Sequence, residues 1–260
     1  MTRFALFLVI LTLSPLSAFS QSPEEKGLEI AVEMNRRDDA FGDSTSNLEM
    51  ILRNKHGEES KRVMRNRTLE VVGDGDKTLV IFDNPRDVKG TAFLSFTHKI
   101  ENDDQWLFLP ALKRVKRISS SNKSGSFMGS EFAYEDITSQ EVEKYTYRWL
   151  KDEAYEGKAA FLIERDPVDP NSGYTRQLVW VDKAEYIPLK IEYFDRKNTP
   201  LKTLTFHDYQ QYLERYWRAD RTEMVNLQTG KSTTLKWQGY QFKTGLSDKD
   251  FNKNSLKRAR

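Results

Sequence analysis

The sequence predicts a mainly β chain folded as one long antiparallel meander, on three observations. From Leu48 onward apolar residues recur at every second position, the period of a strand with one buried face, not that of a helix. Turn-forming residues cut this pattern into short runs nearly to the C-terminus, so each run returns beside the last. No strand–helix–strand alternation interrupts the series, which excludes a doubly wound parallel sheet. The length of 260 residues agrees, because single β domains of roughly 200–250 residues are common.

The chain opens on a segment of another kind. Met1 to Ser20 carries one charge at Arg3, an apolar stretch from Phe4 to Leu13, then Pro15, with Ala18 and Ser20 where a signal peptidase takes small side chains. The stretch is shorter than the roughly 20 residues that span a hydrocarbon core. It reads as a secretory signal cleaved near Ser20, leaving residues 21–260 as one soluble domain. Next, Glu24 to Arg37 forms an amphipathic helix, with Leu28, Val32, Ile30, Ala31 and Met34 apolar. Ser22 is its N-cap, Pro23 its first residue, and Glu25 completes a capping box.

The strands follow. Leu48, Met50 and Leu52 alternate with Asn47, Glu49 and Arg53; His56-Gly57 turns the chain into a polar partner bearing Val63, Leu69 and Val71. Asp74-Gly75-Asp76 turns it again into Thr78–Phe82. Further runs fall at Ala92–Phe96, Trp106–Leu109, Leu112–Ile118, Tyr145–Leu150, Lys158–Glu164, Gln177–Asp182, Ile187–Phe194, Leu201–Asp208, Tyr216–Val225 and Thr233–Phe242. Short helices are expected near Asn84–Gly90, Ser126–Phe132 and Asp248–Leu256.

A meander of this length must close into a barrel, split into a sandwich or curl around something. Ile187, Leu189, Ile191 and Tyr193 present one apolar face, while Pro188, Lys190, Glu192 and Phe194 present the other; Lys202, Leu204 and Phe206 repeat the asymmetry. Apolar content of 38% and charge of 31%, against the usual ~45–50% and ~25%, leave little for a thick two-sided core. A strongly curved sheet with a sparse helical plug would leave an apolar cavity, the form of a small-molecule or acyl-chain site. Trp106 with Phe108, Tyr145 with Tyr147 and Trp149, and Trp180, Trp217 and Trp237 are read together as its aromatic lining.

Charge and composition exclude several functions. The 41 basic and 39 acidic residues are interleaved, so nothing supplies the concentrated positive charge of nucleic-acid binding. There is no cysteine, and His56, His98 and His207 lack ligand spacing, so thiol, disulfide and metal chemistry are not expected, nor any cofactor. The basic run Lys113, Arg114, Lys116 and Arg117 is either a solvated sheet edge or a contact for anionic headgroups or an acidic partner. The polar stretch Ser119–Gly129 is either a surface loop or a hinge ending in an apolar latch, Phe127 and Met128, over the cavity mouth, separable from folding.

These residues carry a resemblance. Asp104-Gln105-Trp106-Leu107-Phe108-Leu109-Pro110-Ala111-Leu112-Lys113-Arg114-Val115-Lys116-Arg117-Ile118, then Ser124–Ser130 and Tyr134-Glu135-Asp136, resemble the outer-membrane lipoprotein-sorting-like family, relatives of the LolA carriers. Pro85–Leu94 resembles that family's segment after an early strand, and Trp180-Val181-Asp182 with Pro188, Lys190, Tyr193 and Asp195 its late strand-turn-strand pattern. The resemblance spans essentially the whole chain after the signal. It implies an unclosed half-barrel whose helices form a lid over an apolar concave face holding acyl chains in the periplasm. It also implies a branch associated with transporters of the resistance-nodulation-division type, with transient membrane contact.

Three function classes stay open. A carrier of an acyl lipid or lipoprotein is the first, and a non-catalytic lipid sensor or adaptor docked to a hydrophobe-exporting transporter is the second. The third is an enzyme using Glu131, Glu135 and Asp136, but no nucleophile with a matching base accompanies those acids. Trp106, Phe108, Phe127, Met128, Trp180, Leu189 and Ile191 are the expected cavity or lid residues, with Lys113, Arg114, Lys116 and Arg117 as headgroup or partner contacts.

Overall fold

A computed structural model describes residues 21–258, so the expected secretory signal at 1–20 lies outside the described residues. Helix α1 (Pro23–Asp38) starts as its sequence dictates: Ser22 Oγ accepts from the Glu25 amide at 3.1 Å, and Glu25 Oε2 accepts from the Ser22 amide at 2.9 Å. Its buried stripe is Gly27, Ile30 and Ala31 with Met34 beside them, while Leu28 and Val32 face outward. Gly27 sets this rotation. A Cβ there would lie 2.7 Å from backbone atoms of Arg148 and Trp149, so the bare backbone lets helix and strand meet.

The strands are β1 (Asp43–Arg53), β2 (Glu59–Leu69), β3 (Lys77–Asn84), β4 (Ala92–Phe96), β5 (Asp104–Leu109), β6 (Arg114–Ile118), β7 (Tyr145–Tyr155), β8 (Lys158–Pro167), β9 (Tyr174–Asp182), β10 (Pro188–Asp195), β11 (Pro200–Tyr212), β12 (Tyr216–Asn226) and β13 (Ser232–Phe242). They form one 13-stranded sheet in the order β6-β5-β4-β3-β2-β1-β13-β12-β11-β10-β9-β8-β7. Every neighbouring pair is antiparallel, and β1 pairs with β13 through Leu48 opposite Trp237 and Met50 opposite Leu235. The two ends of the meander therefore meet in mid-sheet, and the sheet is not closed: β6 and β7 are its free edges. This is the expected unclosed half-barrel with its N-terminal helix. The expected helices near 84–90 and 126–132 are turns instead, and the C-terminal one is a 3-10 turn, Asp248–Asp250, followed by α2 (Lys253–Arg258).

Edges that are consecutive in the chain must be joined across the open side. Residues 119–144 make that crossing as a plug over the concave face. Phe127 donates its amide to Phe132 at 2.7 Å, Tyr134 to Gly125 at 3.0 Å, and Ser126 bridges Ala133. The larger core lies on this concave side, from Leu48, Met50 and Met64 through Phe82, Phe93 and Phe127 to Val179, Ile191 and Leu204. A smaller apolar cluster joins Leu79, Ile81, Ala92, Leu94 and Trp106 to Phe251 and Leu256 of the C-terminal segment. Because Leu79 and Ile81 alternate with Val80 and Phe82 along β3, the smaller cluster occupies the convex face.

Candidate functional site

Between the concave face, α1 and the plug lies a cavity of about 1140 Å³, just above the ~300–1,000 Å³ usual for small-molecule sites. Its floor is largely apolar, with Leu48 and Met50 from β1, Val80 from β3, Ile163 from β8, Val179 from β9, Ile191 from β10 and Leu204 from β11, interspersed with Asn66, Thr78 and Thr222. Ala31 and Met34 of α1 form one wall and Phe127, Phe132 and Ile137 of the plug another. The rim draws on residues 70–74, Lys99, Glu185 to Pro188, Arg215 and Trp217 to Ala219.

Polar bonds fix both walls. Lys202 Nζ meets Asp136 Oδ2 at 2.7 Å with each side chain only 5% exposed, and the Tyr174 hydroxyl donates to the same carboxylate at 2.9 Å. Glu135 accepts from Ser172 Oγ and the Gly173 amide, each at 2.8 Å, while Glu131 accepts from Asn226 Nδ2 at 2.7 Å. Arg62 donates to the Met128 carbonyl. The three acids considered for acid–base work are thus each bound into the plug's attachment. Helix α1 is tied at its C-terminal end, where Arg215 Nη2 donates to the Asp39 carbonyl and the Tyr216 hydroxyl to that of Ala40, each at 2.7 Å.

At the rim, Asp76 stands near Glu141, Glu70 and Asp38. Burial first and these like charges second push its carboxyl up to about 7.

The expected site residues divide. Phe127 and Ile191 line the cavity. Phe127, at 1% exposure, packs its ring 5.2 Å from Phe93 and 5.6 Å from Tyr134. It forms part of the cavity wall, while Met128 packs against the same core in a left-handed backbone conformation, φ 51°. Trp106 and Phe108 sit in the convex cluster, correcting their expected place in the cavity. Trp180 is outside the lining too: its indole N–H donates to Glu153 Oε1 at 2.7 Å and Lys190 lies over its ring. Leu189 is buried where the β9–β10 register shifts, again outside the lining. An inward/outward pattern does not say which face is concave.

Lys113, Arg114, Lys116 and Arg117 are exposed on and beside edge strand β6, with Arg117 paired to Asp104 at 2.5 Å. Tyr147, expected in the aromatic lining, and Tyr193, expected on the apolar face of its strand, do line the cavity, and Arg165, for which no such place was expected, lines it with them. One signal was available: Arg165 is in phase with the inward Phe161 and Ile163.

An unclosed antiparallel half-barrel, spanned by one helix and crossed by a plug, with an apolar cavity between them, defines a LolA-like fold. Solved structures agree. A structure described as an outer membrane lipoprotein-sorting protein domain from Vibrio parahaemolyticus is 61% identical, with TM-score 0.89 over 90% of this chain and 100% of that one. A DUF1329 family protein from Desulfovibrio piger is 30% identical, with TM-score 0.86 over 90% of this chain and 99% of the other. A LolA superfamily protein from Nitrosomonas europaea shares the fold at 20% identity and TM-score 0.72, covering 88% of this chain and 98% of its own. A family model described only as "Uncharacterized protein" matches residues 74–258. No curated protein matches the chain. The chain belongs to the outer-membrane lipoprotein-sorting-like family.

Proposed function

We propose that the protein is a non-catalytic periplasmic carrier that shelters the acyl chains of a lipid or lipoprotein and moves them between membrane components. The observation that carries this reading is the cavity of about 1140 Å³ floored largely by apolar side chains on the concave face. Each methylene withdrawn from water contributes about 0.8 kcal/mol, so a long chain needs such a surface to travel between membranes. The signal read at Met1–Ser20 supplies the periplasmic address. The description of the Vibrio parahaemolyticus domain as lipoprotein-sorting supports the same class of cargo.

In this reading the exposed basic edge, Lys113, Arg114, Lys116 and Arg117, makes transient contact with anionic headgroups or an acidic partner face. The partner suited to a hydrophobe carrier is an inner-membrane transporter of the resistance-nodulation-division type. The test is native mass spectrometry with organic extraction on protein purified from the periplasm without detergent. Stoichiometric acyl lipid is the expected result. A protein that arrives empty and takes up no lipid from vesicles would overturn the carrier and leave a transporter adaptor.

A further inference from the structure

One row of side chains crosses the concave face without an aliphatic member. Tyr147 on β7 stands opposite Arg165 on β8, Arg165 opposite Gln177 on β9, Gln177 opposite Tyr193 on β10, and Tyr193 opposite Lys202 on β11. Residues paired across antiparallel strands share a face about 4.5–5.5 Å apart, so the row is continuous. Two positions along the same strands, the floor is Ile163, Val179, Ile191 and Leu204. A polar band thus borders an apolar bed.

The two cations of the row are in different states. Lys202 is neutralised by Asp136. Arg165 has no carboxylate partner among the described residues: its Nε donates to Gln177 Oε1 at 2.8 Å, and its guanidinium lies 4.4 Å from the Tyr145 ring centre. The plug's carboxylates are engaged elsewhere, Asp136 by Lys202 and Tyr174, Glu135 by Ser172 and Gly173, and Glu141 by Ser139. A guanidinium stays charged and carries five N–H donors, of which Arg165 spends one on protein. On either side Tyr147 and Tyr193 reach the cavity, and burial raises both phenols' pKa, so they remain hydroxyl donors.

A partly covered cation with spare donors is stabilised by an anion that enters the same low-dielectric space. The geometry points to Tyr147, Arg165 and Tyr193 as the site for the anionic head, carboxylate or phosphate, of a single-chain amphiphile whose tail lies on the Ile163–Val179–Ile191–Leu204 floor. This rests on the carrier reading and narrows its cargo, since an uncharged acyl ester gives Arg165 no counter-charge.

The test is titration calorimetry with palmitate, hexadecyl phosphate, hexadecanol and inorganic phosphate, on the wild type and on Arg165→Met, Arg165→Lys and Tyr193→Phe, with each variant's melting temperature recorded. The wild type should bind palmitate and hexadecyl phosphate about tenfold or more tighter than hexadecanol. Arg165→Met should bring that ratio near one, and Arg165→Lys should keep part of it, because an ammonium holds charge without the planar fork. Tyr193→Phe should lower the ratio by about threefold, which keeps the proposal exposed to test if Arg165→Met fails to fold. Equal affinity for palmitate and hexadecanol, or a ratio that survives Arg165→Met, would overturn the anion site and leave the carrier standing. Inorganic phosphate binding as tightly as hexadecyl phosphate would assign the site to a free anion instead. Failure of the wild type to bind any of the three amphiphiles would overturn both readings.

Discussion

The two faces of this sheet start from the same alternation and end differently. On the convex side, Leu79, Ile81, Leu94 and Trp106 are covered by Phe251 and Leu256 from the chain's own C-terminal segment. On the concave side, the alternate residues Val80 and Phe82 look toward a plug and a helix that do not fill the space, and a cavity of about 1140 Å³ is left. The contrast shows what keeps a cavity open. Apolar side chains free to approach would collapse to native packing density, as the convex cluster does. The concave walls are held at fixed height by buried polar bonds, chiefly Lys202–Asp136 and Glu135 with Ser172 and Gly173.

The strongest way to break this contrast is to cut a plug anchor. Asp136→Asn leaves Lys202 buried beside a neutral amide and should destabilise the fold by about 3–5 kcal/mol in urea unfolding. Combining Asp136→Leu with Lys202→Met should recover most of that loss, since the pair's stability cost lies in desolvation. A single variant within about 0.5 kcal/mol of wild type would show that the plug is not held this way.

A smaller effect sharpens the difference between the faces. Leu256→Ala removes a fully buried side chain from the convex cluster and should cost about 2–4 kcal/mol, with lipid uptake from vesicles unchanged. Loss of uptake at temperatures where that variant stays folded would mean that the faces are coupled.

The smallest effect concerns the rim. Because the Asp76 carboxyl is raised from 3.8 to about 7, its protonated form is favoured by folding. That stability is complete below pH 3.8 and is lost as pH rises toward about 7. Asp76→Asn should therefore melt about 2–4 °C above wild type at pH 8 and lose the advantage at pH 4. Parallel melting curves at both pH values would assign the pH dependence to other groups, Glu141 and Glu135 among them, whose carboxyls burial also raises.

Much of the fold was legible because strands announce themselves by period: Ala92–Phe96 falls where the alternation put it, and the Ser22-Pro23-Glu25 start of α1 is local chemistry. The helix face was not legible. Leu28 and Val32 look like its apolar stripe, but the buried stripe runs through Gly27, whose value is its lack of a side chain. The site was half legible. Ile191 and Phe127 reach the cavity, whereas Trp106 and Phe108 belong to the convex cluster because β3–β5 are apolar on both sides and alternation alone does not name the concave one. The polar row was hidden for another reason: its members are neighbours only through register across four strand pairs.

The crossing from β6 to β7 has a mechanical consequence. A chord riveted to β2, β9, β11 and β12 by Arg62, Tyr174, Lys202 and Asn226 spans the arc of the sheet and sets its radius. The arc cannot widen without breaking these bonds. Helix α1 closes the other side by packing Gly27, Ile30 and Ala31 inward, with ties from Arg215 to the Asp39 carbonyl and from Tyr216 to that of Ala40. The plug is thus the brace that holds the shell at one curvature, with α1 packed across its mouth.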